Sequence, residues 1–122
     1  MAQHNETGKE GEQFVREYLV KQGYKIRATN WHFGHKEIDL VTEKDGMMVF
    51  VEVKSRSNLT FELPQESVTK KKQKNLVEAA DAYLIQKNID LESRFDIVTV
   101  LASEPPRILE HIEDAFRPNE LI

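Results

Sequence analysis

The chain has no cysteine, which excludes disulfides, thiolate zinc sites and a cysteine nucleophile. It lacks any apolar run long enough to span a bilayer, and its opening residues, MAQHNETGKEG, hold no signal-peptide core. The expectation is a cytoplasmic protein with no membrane partner. An excess of positive charge is also missing. The net charge of −4 argues mildly against a protein that coats itself with nucleic acid, while leaving room for a basic rim around an acidic metal site. No repeat, linker or low-complexity segment interrupts the sequence. What is present is 122 residues, 39% hydrophobic and 31% charged, which fits a single globular domain able to bury one core without covalent staples. Residues 1–5 and 117–122 read as loose tails.

The densest signal is EIDLVTEKDGMMVFVEVKSR, residues 37–56. Two β-rich runs flank Asp45-Gly46, a strong signal for a two-residue hairpin turn. With that turn Lys44 pairs with Met47. The register then sets Leu40 against Val51, Thr42 against Val49 and Ile38 against Val53, an almost wholly apolar face. A slip of one residue would turn all of it outward. On the other face Asp39 falls opposite Glu52, and Glu37 opposite Lys54. Facing carboxylates repel, and a divalent cation between them would remove the repulsion, because hard cations take carboxylate oxygens. Lys54 shares that face, and its neighbours Glu52 and Glu37 are expected to favour its ammonium form. Asp, Glu and Lys converging on one sheet face point to metal-assisted hydrolysis of a phosphate ester. The plainer alternative is a solvated strand face with a Glu37–Lys54 or Glu52–Lys54 ion pair.

Around this hairpin the pattern predicts a helix over residues 5–22, stopped by Gly23. Gly11, Phe14, Val15, Tyr18 and Leu19 form its buried stripe. Glu12 projects from the edge of that stripe, either reaching solvent or aimed at the sheet as a third carboxylate. Gly8 and Gly11 are poor helix formers that would allow close packing on the sheet. Residues 24–31 read as a first strand. His32 and His35 in the following turn make only a weak metal pair, having no third ligand nearby. Residues 57–65, with Pro64, form a loop suited to contacting a substrate. A second helix is predicted over residues 67–88, with Ser67 as N-cap and Leu76, Ala79, Ala80, Tyr83 and Leu84 facing the core. Its first turns carry Lys70, Lys71, Lys72 and Lys74. Lysine clusters are commonly solvated, but lysine in a first turn opposes the helix dipole, which favours a local role such as holding phosphates. Residues 94–101 are apolar on both faces, as a central strand requires, and the crossover makes that strand parallel to the Glu52 strand. Residues 108–112 give a last short strand.

The αβββαβ order with Glu12, Asp39 and Glu52-Val53-Lys54 resembles the PD-(D/E)xK nuclease superfamily. More closely the chain looks like the YraN-like family of bacterial proteins, near the archaeal Holliday-junction resolvases. The matching residues are Gly8-x-x-Gly11-Glu12, Glu37-Ile38-Asp39-Leu40, Phe50-Val51-Glu52-Val53-Lys54-x-Arg56, Ser67-Val68-Thr69 with Lys72-Gln73, Arg94-Phe95-Asp96 and Ala115-Phe116. The proline of the superfamily motif is absent, since Ile38 precedes Asp39.

The resemblance implies an α/β fold of the restriction-endonuclease-like type, a mixed central sheet flanked by helices. Asp39 and Glu52, the Val53 carbonyl and Glu12 would then hold Mg²⁺ or Mn²⁺. Lys54 would orient the attacking water or stabilise transition-state charge. Arg56 and the four lysines would contact nucleic acid, DNA ahead of RNA. The function so implied is an endonuclease, with branched DNA as one candidate substrate. The alternative is a nucleic-acid-binding module of the same fold that does not cut. Oligomeric state stays open, a homodimer included.

Overall fold

The computed structural model describes residues 2–57 and 68–118. The elements follow in the order α1 (Ala2–Lys21), β1 (Lys25–Phe33), β2 (Lys36–Lys44), β3 (Met47–Arg56), α2 (Lys70–Gln86), β4 (Ser93–Leu101) and β5 (Arg107–Phe116). The strands make one mixed sheet in chain order, β1-β2-β3-β4-β5. All neighbours are antiparallel except β3 and β4, which run parallel, as the α2 crossover demands.

Each helix covers one face. Val15 and Leu19 of α1 pack with Leu40, Val49, Val51, Val98 and Val100. Leu76, Ala79, Ala80 and Tyr83 of α2 pack with Val41, Met48, Phe50, Phe95 and Ile97 on the other face. A sheet buried on both sides explains why the β4 side chains from Phe95 to Leu101 are all buried. The aromatic residues bind the second layer together: Trp31 meets Tyr83 edge-on at 5.2 Å, and Phe95 stacks on Phe50 at 5.6 Å and on Phe116 at 5.0 Å.

Helix α1 ends as its sequence requires. Gly23 has φ +93, and the Tyr24 amide reaches back to the Leu19 carbonyl at 2.9 Å. Gly11 allows the close approach of α1, since a Cβ there would press on Ser55 and Val100. The Asp45-Gly46 turn has φ +52 and +77, the primed geometry that matches strand twist.

Three boundaries differ from the sequence pattern, the first being α1, which begins at Ala2 and so takes in residues 2–5, expected as a loose tail. The N-cap of α2 is Thr69, whose hydroxyl accepts from the Lys72 amide at 3.2 Å. Ser67 and the loop around Pro64 lie outside the described residues. Strand β5 is twice the length expected. Two register shifts against β4 and a left-handed Asp114 (φ +52) break the alternation that a sequence reading relies on.

Candidate functional site

The hairpin register holds for Lys44–Met47, Thr42–Val49 and Leu40–Val51, and the ladder then stops. Pairs that exchange backbone hydrogen bonds alternate along an antiparallel ladder, so the next such rung would join Ile38 to Val53. That rung is replaced. The Val53 N–H donates instead to Asp39 Oδ2 at 2.8 Å. Asp39, Glu37 and Lys54 are therefore not placed by cross-strand pairing, as the hairpin pattern predicts, but by a fork where β2 parts from β3. Across β2, Asn30 sits between the Thr29–Leu40 and Trp31–Ile38 pairs in a left-handed conformation (φ +48), which Asn tolerates better than most residues. The N–H and C=O of a strand residue point toward the same neighbour. The Val53 carbonyl therefore also faces the open fork.

The carboxylate face is no solvated strand face. It is the α2 side of the sheet, and Glu52 is only 4% exposed. Asp39 is held well above the usual carboxylate range, first by burial, then by a hydrogen bond with Glu52 and by its charge. Glu12 is raised too, through burial and the charges of Glu37 and, more weakly, Glu52, while a hydrogen bond from Asn30 and the charge of Arg16 oppose the shift. Glu12 does not close a tight trio with Asp39 and Glu52. Among the described residues, the one group of three carboxylate or imidazole side chains with ligand atoms within 4.8 Å of one another is Asp96, His111 and Glu113.

The lysines depart most from expectation. Lys54 is lowered rather than raised, because burial and the neighbouring Lys72 outweigh Glu52 and Asp39. Lys72 is the stronger partner of Glu52: its Nζ stands 2.6 Å from Glu52 Oε2. Burial alone would lower Lys72, but its close ion pair with Glu52 carries it upward overall. Lys72 lowers Lys54, as a like charge must, while Glu52 sustains the charge on Lys72 itself. The ion pair is close but not aligned as a hydrogen bond, so Glu52 Oε2 lacks an aligned donor; Thr99 Oγ1 and Gln73 Oε1 are the other two such buried atoms among the described residues.

A cleft of about 450 Å³ opens over the carboxylates, lined by His35, Lys36, Glu37, Thr69, Lys71 and Asn75 among others. Lys71 and Lys72 face it, whereas Lys70 and Lys74 are exposed on the same helix start outside its lining. Arg56 lies at the end of β3, two residues beyond Lys54 and on the same face by strand alternation. His32 pairs with Glu37 at 3.0 Å. Sequence reasoning passes over Asn30, although an Asn inside a β-forming run is a signal for a left-handed residue.

A divalent cation suits this donor set. Glu52 Oε2 is a buried acceptor in want of an aligned donor, Asp39 is repelled by its neighbour, and the Val53 carbonyl faces the fork. The Asp96 trio is also of the right residue types to hold a metal ion, but its charge is already balanced. Arg94 Nε donates to Asp96 Oδ1 at 3.0 Å, His111 lies 2.8 Å from Oδ2, and the Asp114 amide donates at 3.1 Å.

These features define an α/β protein with a five-stranded mixed sheet, two helices and a carboxylate–lysine cluster around the buried Glu52 at a strand fork. Residues 11–100 match the model of the uncharacterised protein family UPF0102. The chain is 47% identical to a UPF0102 protein of Phocaeicola vulgatus over 97% of its own length and 98% of that protein. It is 48% identical to one from Bacteroides thetaiotaomicron, again over 97% and 98% of the two chains. The protein belongs to the UPF0102 family. None of its described helices is long and apolar enough to cross a membrane.

Proposed function

We propose that the chain is a metal-dependent nuclease of the PD-(D/E)xK type, with a restriction-endonuclease-like core, that hydrolyses nucleic-acid phosphodiester bonds. The observation that carries this reading is the pairing of half-buried Asp39 with buried Glu52 at the fork, with an unaligned Glu52 oxygen and Lys54 and Lys72 beside it. Burying two adjacent carboxylates has no structural benefit by itself, since each loses hydration and repels the other. Asp39, Glu52 and the Val53 carbonyl would hold Mg²⁺ or Mn²⁺; Glu12 lines a separate cleft with Arg16 and Asn30 and would act on the pair through its charge. The ion would supply Lewis-acid polarisation of the phosphate and a lower pKa for an attacking water. Lys54 would sit against the charge that develops on the phosphate, and Lys71, with Arg56, Lys70 and Lys74 around the rim, would hold the flanking backbone.

Cleavage of linear, flapped and four-way DNA and of RNA, with Mn²⁺ and then with chelator, tests the reading. Metal-dependent cutting of at least one substrate is expected. Binding without cutting, with Mn²⁺ shown to be bound, would favour a nucleic-acid-binding module of the same fold. The Lys72–Glu52 pair favours that second reading, because it neutralises Glu52 without any metal.

A further inference from the structure

The Lys72–Glu52 contact has a consequence for how a metal enters. Glu52 is a buried carboxylate, and Lys72 Nζ lies 2.6 Å from the same Oε2 that lacks an aligned donor. A divalent ion on that oxygen would sit roughly 2.1 Å from it. Lys72 and the ion would then be like charges within roughly 4 Å of each other in a partly desolvated cleft, a strongly unfavourable arrangement. Each therefore weakens the other's hold on Oε2.

Lys72 is also well placed to leave. It stands in the first turn of α2, its amide anchored by the Thr69 hydroxyl, so the backbone stays fixed while the long side chain swings. Its side chain is 45% exposed, so only the tip is committed to Glu52. The cleft it lines also holds Lys71, Thr69 and Asn75, donors suited to an anionic oxygen.

We infer that Lys72 is a tethered stand-in cation: it neutralises Glu52 in the metal-free protein, is expelled when the divalent ion binds, and is then free to take a phosphate oxygen of the nucleic acid. This rests on the metal-dependent reading above. It makes metal and nucleic acid binding mutually reinforcing, because a phosphate that captures Lys72 removes the competitor of the metal, and the coupling must be reciprocal. It also gives the metal-free protein a low affinity for stray divalent ions.

The test is calorimetric titration of Mn²⁺ alone into the wild type, Lys72→Met, Lys72→Arg and Asp39→Asn, each checked for fold by circular dichroism. Lys72→Met is expected to bind Mn²⁺ about tenfold more tightly than wild type, the scale of removing one close charge pair, and Lys72→Arg no more tightly. Melting gives a second readout: Lys72→Met should melt lower than wild type in chelator and gain more from Mn²⁺. Adding a short DNA duplex carrying uncleavable phosphorothioate linkages should tighten Mn²⁺ binding in the wild type and not in Lys72→Met. Equal or weaker Mn²⁺ binding by Lys72→Met, with Asp39→Asn weakened, would overturn the exchange and leave the metal site standing. Mn²⁺ binding unchanged by Asp39→Asn, or absent from every variant, would overturn the site itself and the exchange with it.

Discussion

Asp39 Oδ2 accepts a hydrogen bond from the Val53 backbone N–H at 2.8 Å, taking the place of a ladder rung. The side chain is thus fixed by the strand that also carries Glu52 and Lys54, before any ligand arrives. Asp39→Asn keeps a side-chain oxygen able to accept this bond. It should therefore leave the melting temperature within a few degrees of wild type while lowering Mn²⁺ affinity at least tenfold, measured by calorimetry. Unchanged affinity would contradict the assignment of Asp39 as a ligand.

Metal affinity should also follow pH in a definite direction. Burial and Glu52 hold Asp39 above its ordinary value, so near neutrality the metal-free site retains a proton that a cation must displace. Affinity for Mn²⁺ should rise from about pH 6 to about pH 8, with proton release seen as a buffer-dependent heat. For the metal-free fold the sign is the reverse. A carboxyl whose folded pKa is raised destabilises the native state progressively as pH climbs above its unfolded value near 3.9. Asp39→Asn should lose most of both dependences.

Asp96 is the opposite case. Burial would raise it, but bonds from His111, Arg94 and the Asp114 amide together hold it below the ordinary range. Its contribution is present above the unfolded pKa and fades as pH falls through the folded one. Asp96→Ala removes the buried carboxylate shared by Arg94 and His111, leaving Arg94 with Tyr24 and Glu113 and His111 with Tyr18. It should cost about 3 kcal/mol by urea unfolding at neutral pH. The difference from wild type should shrink in acid. A constant difference across that range would show that packing, not charge, is what Asp96 supplies.

Much of this was legible in the sequence. Asp45-Gly46 set the hairpin, the apolar face of Leu40, Thr42, Val49 and Val51 set its register, and the RFDIVTVL run announced a central strand. The fork was not legible, because Asp39 takes the Val53 amide with its side chain, and no residue pattern distinguishes that bond from an ordinary rung. The direction of the Lys54 shift is hidden from the sequence for a related reason. It depends on Lys72, which stands eighteen residues away and reaches the same carboxylate only after α2 packs on the sheet. Polar β5 hid its length, since Glu110, His111, Glu113 and Asp114 carry no apolar alternation.

The lysines at the start of α2 predict salt-dependent binding. Replacing Lys70, Lys71, Lys72 and Lys74 together by Ala should weaken DNA binding and flatten the slope of log affinity against log salt, by about 0.9 for each phosphate that is no longer neutralised on duplex DNA. Anisotropy titrations across a salt series measure both. An unchanged affinity and slope would make the cluster a solvated helix face.

The central claim is that this fork cuts phosphodiester bonds with Lys54 beside the reacting phosphate. Single-turnover cleavage of a four-way junction with Mn²⁺, by wild type, Lys54→Ala and Lys54→Arg, addresses it directly. The account predicts a loss of about 10²–10³ in rate for Lys54→Ala, the scale of removing one preorganised charge. Lys54→Arg should retain partial activity, because charge is the property required and arginine cannot serve as a base. Equal rates for wild type and Lys54→Ala would contradict it.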